Sequence, residues 1–205
     1  MVVLYFRQGR DFFAHATIAC CCTSFVLQAT IAVIQNKSDR RIMIRELLVL
    51  LTFMKPACDA WQLLSGNERG SKQTMSPSSE IMLCKGAELF GESIPGSFIQ
   101  TFAFVTLDSS HRSSIALVSI LVSISTTAFM SASISFDLDL DPFRRRVQPD
   151  MYGMIADSSS GRTATFASVF FLALMQIISK ILACALIAAS SPFLLVSILG
   201  GEMAL

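Results

Sequence analysis

The chain has 205 residues, of which 53% are hydrophobic and only 15% are charged, whereas typical soluble domains are about a quarter charged. Its formal net charge of +1 provides no bulk electrostatic attraction to nucleic acid, so nucleic acid is not an expected partner. The charged residues are missing mainly from long stretches, which is the pattern that a lipid bilayer imposes on the helices that cross it.

Five apolar segments alternate with polar connectors, and each is close to the length that crosses a bilayer as a helix. The first has no formal charge, and its apolar run is longer than that of a signal peptide, which predicts a retained span. The second is interrupted by charges and a proline, and the third is the most polar. The fourth is uncharged, and the fifth contains one lysine. The predicted spans are 12–34, 46–64, 80–107, 113–136 and 163–189.

A sixth apolar element, residues 193–205, is shorter than the roughly 20 residues that a span needs. It is interpreted as a truncated span in a fragment, with an interfacial tail as the alternative. The lengths of the apolar segments favour helices over the short alternating strands of a membrane barrel. The predicted fold class is all-α: a polytopic transmembrane bundle of about five spans, forming one membrane domain over residues 1–205.

The third segment contains the polar stretch ELFGESIPGSFIQ. Polar residues and a glycine recur there every four residues, which places them on one face of an α-helix. Pro95 removes a backbone donor and predicts a kink. One interpretation is a broken helix that lines a pathway for lipid or a small solute. The alternative is a structural kink with paired charges, or an interfacial hairpin. The candidate face comprises Lys85, Glu88, Glu92, Pro95, Gly96 and Gln100.

Isolated charges also occur in the second and fifth segments. Lys55 and Asp59 are four residues apart and can pair along one helix, and Lys180 interrupts the fifth segment. Unpaired charges at membrane depth are costly, so pairing across helices is expected. These three residues are candidates for a translocation face opposite the third segment. The alternative is that such pairs only hold helices together, in a structural or interaction protein that transports nothing.

The fourth segment has hydroxyl residues at every fourth position. Small residues at this spacing allow helix backbones to approach closely, which predicts helix packing as their role. A hydroxyl-lined groove for a polar headgroup or a hydrated ion is the alternative. The stripe consists of Ser119, Ser123, Thr127, Ser131 and Ser135.

The sequence contains no pattern typical of catalysis or of metal binding. It lacks a phosphate-binding glycine loop, a nucleophile elbow and a histidine-based pair, so no enzymatic activity or cofactor is expected. The cysteine spacing does not fit zinc, and DLDLDP does not fit a calcium loop. Residues 137–162 are expected to form a charge-balanced solvated loop, with arginines on anionic headgroups as the alternative. Membrane lipid is the expected partner; a homo-oligomer and an unidentified small-molecule substrate both stay open.

Two stretches, ELFGESIPGSFIQTFAF and SSIALVSILVSISTTAFMSASISF, resemble the XK-related family of polytopic membrane proteins. The resemblance implies phospholipid scrambling, with Glu92, Pro95 and Gln100 matching an acidic helix of that family. Gly96 and Ser97 depart from its pattern. Four further stretches are similar to a group of uncharacterised multipass proteins of algae and other protists, which implies a membrane protein without a stated activity. These stretches are KPACDAW, ESIPGSFIQ, SASISFDLDLDP and MYGMIAD.

Overall fold

The computed structural model describes most of the chain, with gaps in the connectors. In the described part all regular secondary structure is helical and no strand occurs, which confirms the predicted all-α class. The sixth apolar element, residues 193–205, lies outside the described residues. The described ranges are 2–7, 9–37, 39–52, 54–55, 57–58, 61, 77–106, 114–155 and 158–191.

The described ranges contain eight α-helices whose first and last residues are both defined, and one π-helical turn. Two of the helices begin at side-chain caps, because the Asp39 and Ser158 side chains accept hydrogen bonds from backbone N–H groups of the first turn. The π-helical turn, Leu89–Ser93, follows α4 directly and precedes α5. The helices are α1 (Val2–Arg7), α2 (Asp11–Gln35), α3 (Arg40–Leu51), α4 (Pro77–Glu88), α5 (Ile94–Val105), α6 (Ser114–Leu140), α7 (Pro142–Val147) and α8 (Ser159–Ser190).

Three of these helices, α2, α6 and α8, are long and apolar enough to cross a membrane. They coincide with the first, fourth and fifth predicted spans. The second predicted span, 46–64, is helical to Leu51 and then lies partly outside the described residues. The third, 80–107, is divided by the π-helical turn into two helices that are each too short to cross alone.

The chain divides into two compact units, one of Met1–Ile18 with Ser93–Leu205 and the other of Ala19–Glu92. In the first unit α5, α6 and α8 pack on one another around Ile120, Ile124 and Ile181. Alanines on the buried sides of α6 and α8 are almost fully enclosed, which lets the helix backbones approach closely. They are Ala128, Ala132, Ala185 and Ala188.

The second unit contains a contact in which α2 and the π-helical turn meet backbone to backbone. A Cβ atom added at Gly91 would lie 2.8 Å from the Cα atom of Ser24 and 2.9 Å from its nitrogen. Ser24 is buried, and its hydroxyl accepts a hydrogen bond from the Gln28 amide at 3.2 Å. Only glycine therefore fits at position 91 without moving a helix.

We expect Gly91→Ala to destabilise the protein by about 1–3 kcal/mol, because the added methyl group overlaps backbone atoms that have no rotamer to adjust. Gly86→Ala is the matched control on the preceding helix, since a Cβ atom there meets nothing within 4 Å. Helix propensity alone should make that control neutral or up to about 1 kcal/mol more stable. Thermal unfolding in lipid nanodiscs measures both; equal midpoints for the two variants would contradict the close contact.

Candidate functional site

Lys55 lies in a buried ion cluster of the second unit. Its Nζ atom donates to Glu46 Oε2 at 3.2 Å and to Glu80 Oε1 at 2.9 Å. The three side chains are only 1–3% exposed. Arg45, whose side chain is 67% exposed, lies 4.0 Å from the other oxygen of Glu46. The cluster therefore joins α3, Lys55 and α4 by buried charge pairs.

The structure supports the structural interpretation of Lys55 more than the translocation one. Its ammonium group is enclosed by two carboxylates and is almost inaccessible. The pairing with Asp59 stays a prediction, because Asp59 lies outside the described residues. Glu46 and Glu80 were missed as functional candidates, since each begins an apolar segment and resembles an ordinary charge at a helix end. Only a contact between segments distant in sequence reveals their role.

The acidic part of the candidate face lies in the second unit. Glu92, on the π-helical turn, is exposed, and its Oε1 atom accepts a hydrogen bond from the Cys21 thiol at 3.5 Å. Glu88 and Lys85 are half-buried in the last turn of α4. Two carboxylates four residues apart thus lie near the turn, and one of them is open to its surroundings.

Pro95 accounts for the position of the π-helical turn. In a regular α-helix residue 95 would donate to the carbonyl of Gly91, but proline has no N–H and its ring crowds that carbonyl. A π-helical turn pairs residues five apart, which widens the backbone just before the proline. The turn ends at Ser93, and α5 then begins with Pro95 in its first turn. Such turns are frequent at functional sites.

The structure differs from the predicted single face at this turn. Spacing of four residues keeps side chains aligned only on an α-helix, and the π-helical turn shifts that alignment. Glu92 is accordingly exposed, whereas Gly96, Ser97 and Thr101 are buried in α5. The acidic residues and the residues after Pro95 therefore occupy different environments.

In the first unit, the residues after Pro95 bond to α6. The Ser97 hydroxyl donates to the Ser93 carbonyl at 2.7 Å and lies 3.0 Å from Ser123 Oγ and 3.4 Å from Thr127 Oγ1. The sequence does not indicate Ser97 as a packing residue, because its partners Ser123 and Thr127 lie 26 and 30 residues away. The Oε1 atom of Gln100 is buried and accepts no hydrogen bond in the part of the chain that the structure describes.

The hydroxyl stripe of α6 lies beside the most buried line of that helix. Ser123 and Thr127 contact α5 through Ser97, whereas Ser119 and Ser131 are half-buried and Ser135 is exposed. Each residue of the buried line comes one position after a residue of the stripe. The contact between α6 and α5 therefore combines apolar packing with hydroxyl hydrogen bonds. The residues of that line are Ile120, Ile124, Ala128 and Ala132.

Lys180, the candidate from the fifth predicted span, is exposed on α8. No acidic side chain of the described residues pairs with it. A lysine on the outside of a membrane helix can extend its aliphatic chain along the helix and bring the ammonium group towards the headgroups. Lys180 belongs to the first unit, whereas Glu88 and Glu92 belong to the second.

Asp139, near the end of α6, bonds to the far part of the polar segment between α6 and α8 and so holds the two ends of a loop together. Its carboxylate accepts backbone N–H bonds from Gly153 at 2.8 Å, Met154 at 3.2 Å and Ile155 at 3.1 Å. Arg145 reaches the same carboxylate at 3.5 Å and donates through Nε to the Asp139 carbonyl at 2.7 Å. Gly153 has φ +92, a backbone conformation that favours glycine. We call this set of contacts the Asp139 latch.

A second arginine of the segment is also occupied within the chain. Arg144 lies 3.6 Å from Asp141 and over the ring of Tyr152 at 5.8 Å. Both ion pairs fit the expected charge balance of this loop. Arg146 differs from its two neighbours because its side chain is exposed.

The fold defines an α-helical protein with three helices suited to a membrane. No protein-family model, curated protein sequence or solved structure matches the chain. Among the described residues, no group of three or more histidine, cysteine, aspartate and glutamate side chains could hold a metal ion.

We expect Lys55→Met to destabilise the protein by about 3–5 kcal/mol, because Glu46 and Glu80 would keep buried charges without their partner. Arg45→Met is the matched control: it removes an exposed partner of the same cluster and should cost no more than about 1 kcal/mol. Chemical unfolding in mixed micelles compares the two variants. A combined variant with Lys55→Met, Glu46→Gln and Glu80→Gln should recover part of the lost stability. Equal costs for the two single variants would contradict a buried cluster.

Proposed function

We propose that the chain is an integral membrane protein that moves lipid or a small solute past the acidic π-helical turn. The observation that carries this proposal is the exposed carboxylate of Glu92, which lies between two apolar stretches and has a thiol as its hydrogen-bond donor. Carboxylates at membrane depth are costly and are usually retained where water or a substrate reaches them. Cationic groups, such as an ammonium headgroup, are the chemistry that this turn suits.

The exposure of Glu92 differs from that of the buried charged residues, and this difference supports the proposal. Lys55, Glu46 and Glu80 satisfy each other out of contact with solvent. Glu92 has no such enclosure, and Glu88 lies one turn earlier on the same helix. An irregular helix next to an exposed charge is the arrangement that transporters use at their binding sites.

The proposed topology has about five spans. The helical residues from Pro77 through the π-helical turn to Val105 follow one another without a break in the sequence, and together they exceed the roughly 20 residues that a span needs. A hydrocarbon core is about 30 Å thick, so this run is long enough to cross it. With the second apolar segment, it would add two spans to α2, α6 and α8.

The resemblance to the XK-related family is consistent with this proposal. The resemblance would align Glu92 and Pro95 with an acidic helix of proteins that scramble phospholipids; here Glu92 lies in the π-helical turn, and Pro95 follows two residues after its end. Phospholipid is therefore our first candidate for the translocated molecule. The similarity to multipass proteins of algae and other protists supports only the membrane location.

The second candidate is a structural or interaction protein of the membrane that transports nothing. The hydroxyl contacts of Ser97 with Ser123 and Thr127 favour it, because these polar groups bond to each other rather than line a passage. The buried ion cluster around Lys55 favours it for the same reason. On this alternative, Glu92 would tolerate a neutral replacement.

We expect purified protein in liposomes to move fluorescent phospholipid between leaflets and Glu92→Gln to slow that movement. Loss of one charge-assisted contact, about 1.5–3 kcal/mol, corresponds to roughly a tenfold to hundredfold lower rate. Asp150→Asn is the control, because it neutralises an exposed carboxylate in the segment between α6 and α8. Absence of lipid movement by the wild type would support the structural alternative, and equal non-zero rates for all three proteins would rule out a role for Glu92 in the movement.

A further inference from the structure

The segment between α6 and α8 begins and ends where the apolar parts of two packed helices end. The apolar part of α6 runs from Ser114 to Phe136 and is about 34 Å long, slightly more than the roughly 30 Å of a hydrocarbon core. After Arg162, α8 has no charged residue before Lys180, and it packs against α6. Because both helices suit a membrane, we expect the segment that joins them to lie at the boundary between the core and the headgroups.

This segment exposes three large apolar side chains. Val147 is 61% exposed, Met151 67% and Met154 79%. Single exposed apolar residues are ordinary on a protein surface, but three large ones within eight residues of a short connector indicate a segment that contacts something apolar. By contrast, the neighbouring Ile155 is only 8% exposed, so the segment has an inner apolar residue as well as the outer ones.

The Asp139 latch fixes this arrangement. Three consecutive backbone N–H groups, from Gly153 to Ile155, bond to one carboxylate, and Met154 is the middle residue. Arg144 holds Tyr152 next to it. A surface whose backbone is already ordered loses little conformational entropy when it binds. The backbone at Met154 is therefore held in place before any contact is made.

The charges of the segment favour a lipid surface over a protein partner. Arg144 and Arg145 are occupied by Asp141 and Asp139, which leaves Arg146 as the exposed arginine of the three. It lies directly beside Val147 in the sequence. Apolar side chains that enter the upper acyl region next to an arginine at phosphate level are typical of segments that lie in a membrane interface.

We propose that Val147, Met151 and Met154 insert into the boundary between headgroups and acyl chains, with Arg146 at the lipid phosphates. This interfacial anchor sets the depth of α6 and α8 in the bilayer. The proposal depends on the membrane location of these two helices and not on translocation, so a protein that transports nothing would still have the anchor. It also replaces the expected solvated loop by one that is partly immersed.

A single tryptophan tests the proposal in the full-length chain. Trp61 is the only native tryptophan, so Trp61→Phe gives a background in which Met154→Trp is the sole indole. Asp150→Trp in the same background is the matched control, since Asp150 is exposed in the same segment but polar. The probes are phosphatidylcholine nanodiscs with bromine on the acyl chains and iodide in the water, which reaches both faces of a nanodisc.

The indole from Met154→Trp should emit at shorter wavelength, lose intensity with brominated lipid and resist iodide, whereas the control should show the reverse. Adding Asp139→Asn should weaken the latch and make the Met154→Trp indole more accessible to iodide. Quenching of this indole by iodide to the same extent as the control would overturn the proposal. Protection from both quenchers would also overturn it, because that result indicates a protein surface as the occupant.

Discussion

A polar group that is removed from water needs a partner within the protein, and the described polar residues meet this constraint in different ways. Lys55 satisfies it with two buried carboxylates. Ser97 satisfies it with its own helix and the hydroxyls of α6. Outside the apolar segments, Asp139 uses the same chemistry to close a loop. Glu92 stands apart because its carboxylate is exposed, and for that reason it is the centre of the proposed function.

The π-helical turn links local sequence to this exposure. Pro95 prevents the regular hydrogen bond to the carbonyl of Gly91, and the backbone widens just before it. Gly91 in turn lets the backbone of α2 come close at Ser24. Glycine and proline four residues apart thus have separate tasks: one allows a close approach, and the other determines where the helix changes. Glu92 lies between them in the sequence, on the π-helical turn.

Some of this architecture follows from the sequence alone. Uncharged runs of more than 20 residues predict α2 and α6, and a long apolar segment with one lysine predicts α8, because length and hydropathy are local properties. The shift of alignment at the π-helical turn could not be predicted by counting in fours, since that rule assumes an α-helix throughout. Glu46 and Glu80 were not recognisable as partners of Lys55, because nine and 25 residues separate them from it. The bond from Asp139 to Gly153 spans 14 residues and gives no periodic signal.

The central claim is that the acidic turn meets water within an otherwise lipid-facing protein. Its most direct test is a comparison of Glu92→Cys with Phe90→Cys, each in a variant without the six native cysteines, using a water-soluble maleimide on protein in liposomes. Phe90 is 73% exposed and lies on the same turn, so it controls for exposure to lipid. We predict that position 92 reacts and position 90 does not. Equal labelling would place the turn in bulk water, and protection of both would mean that no aqueous path reaches it; either result would contradict the account.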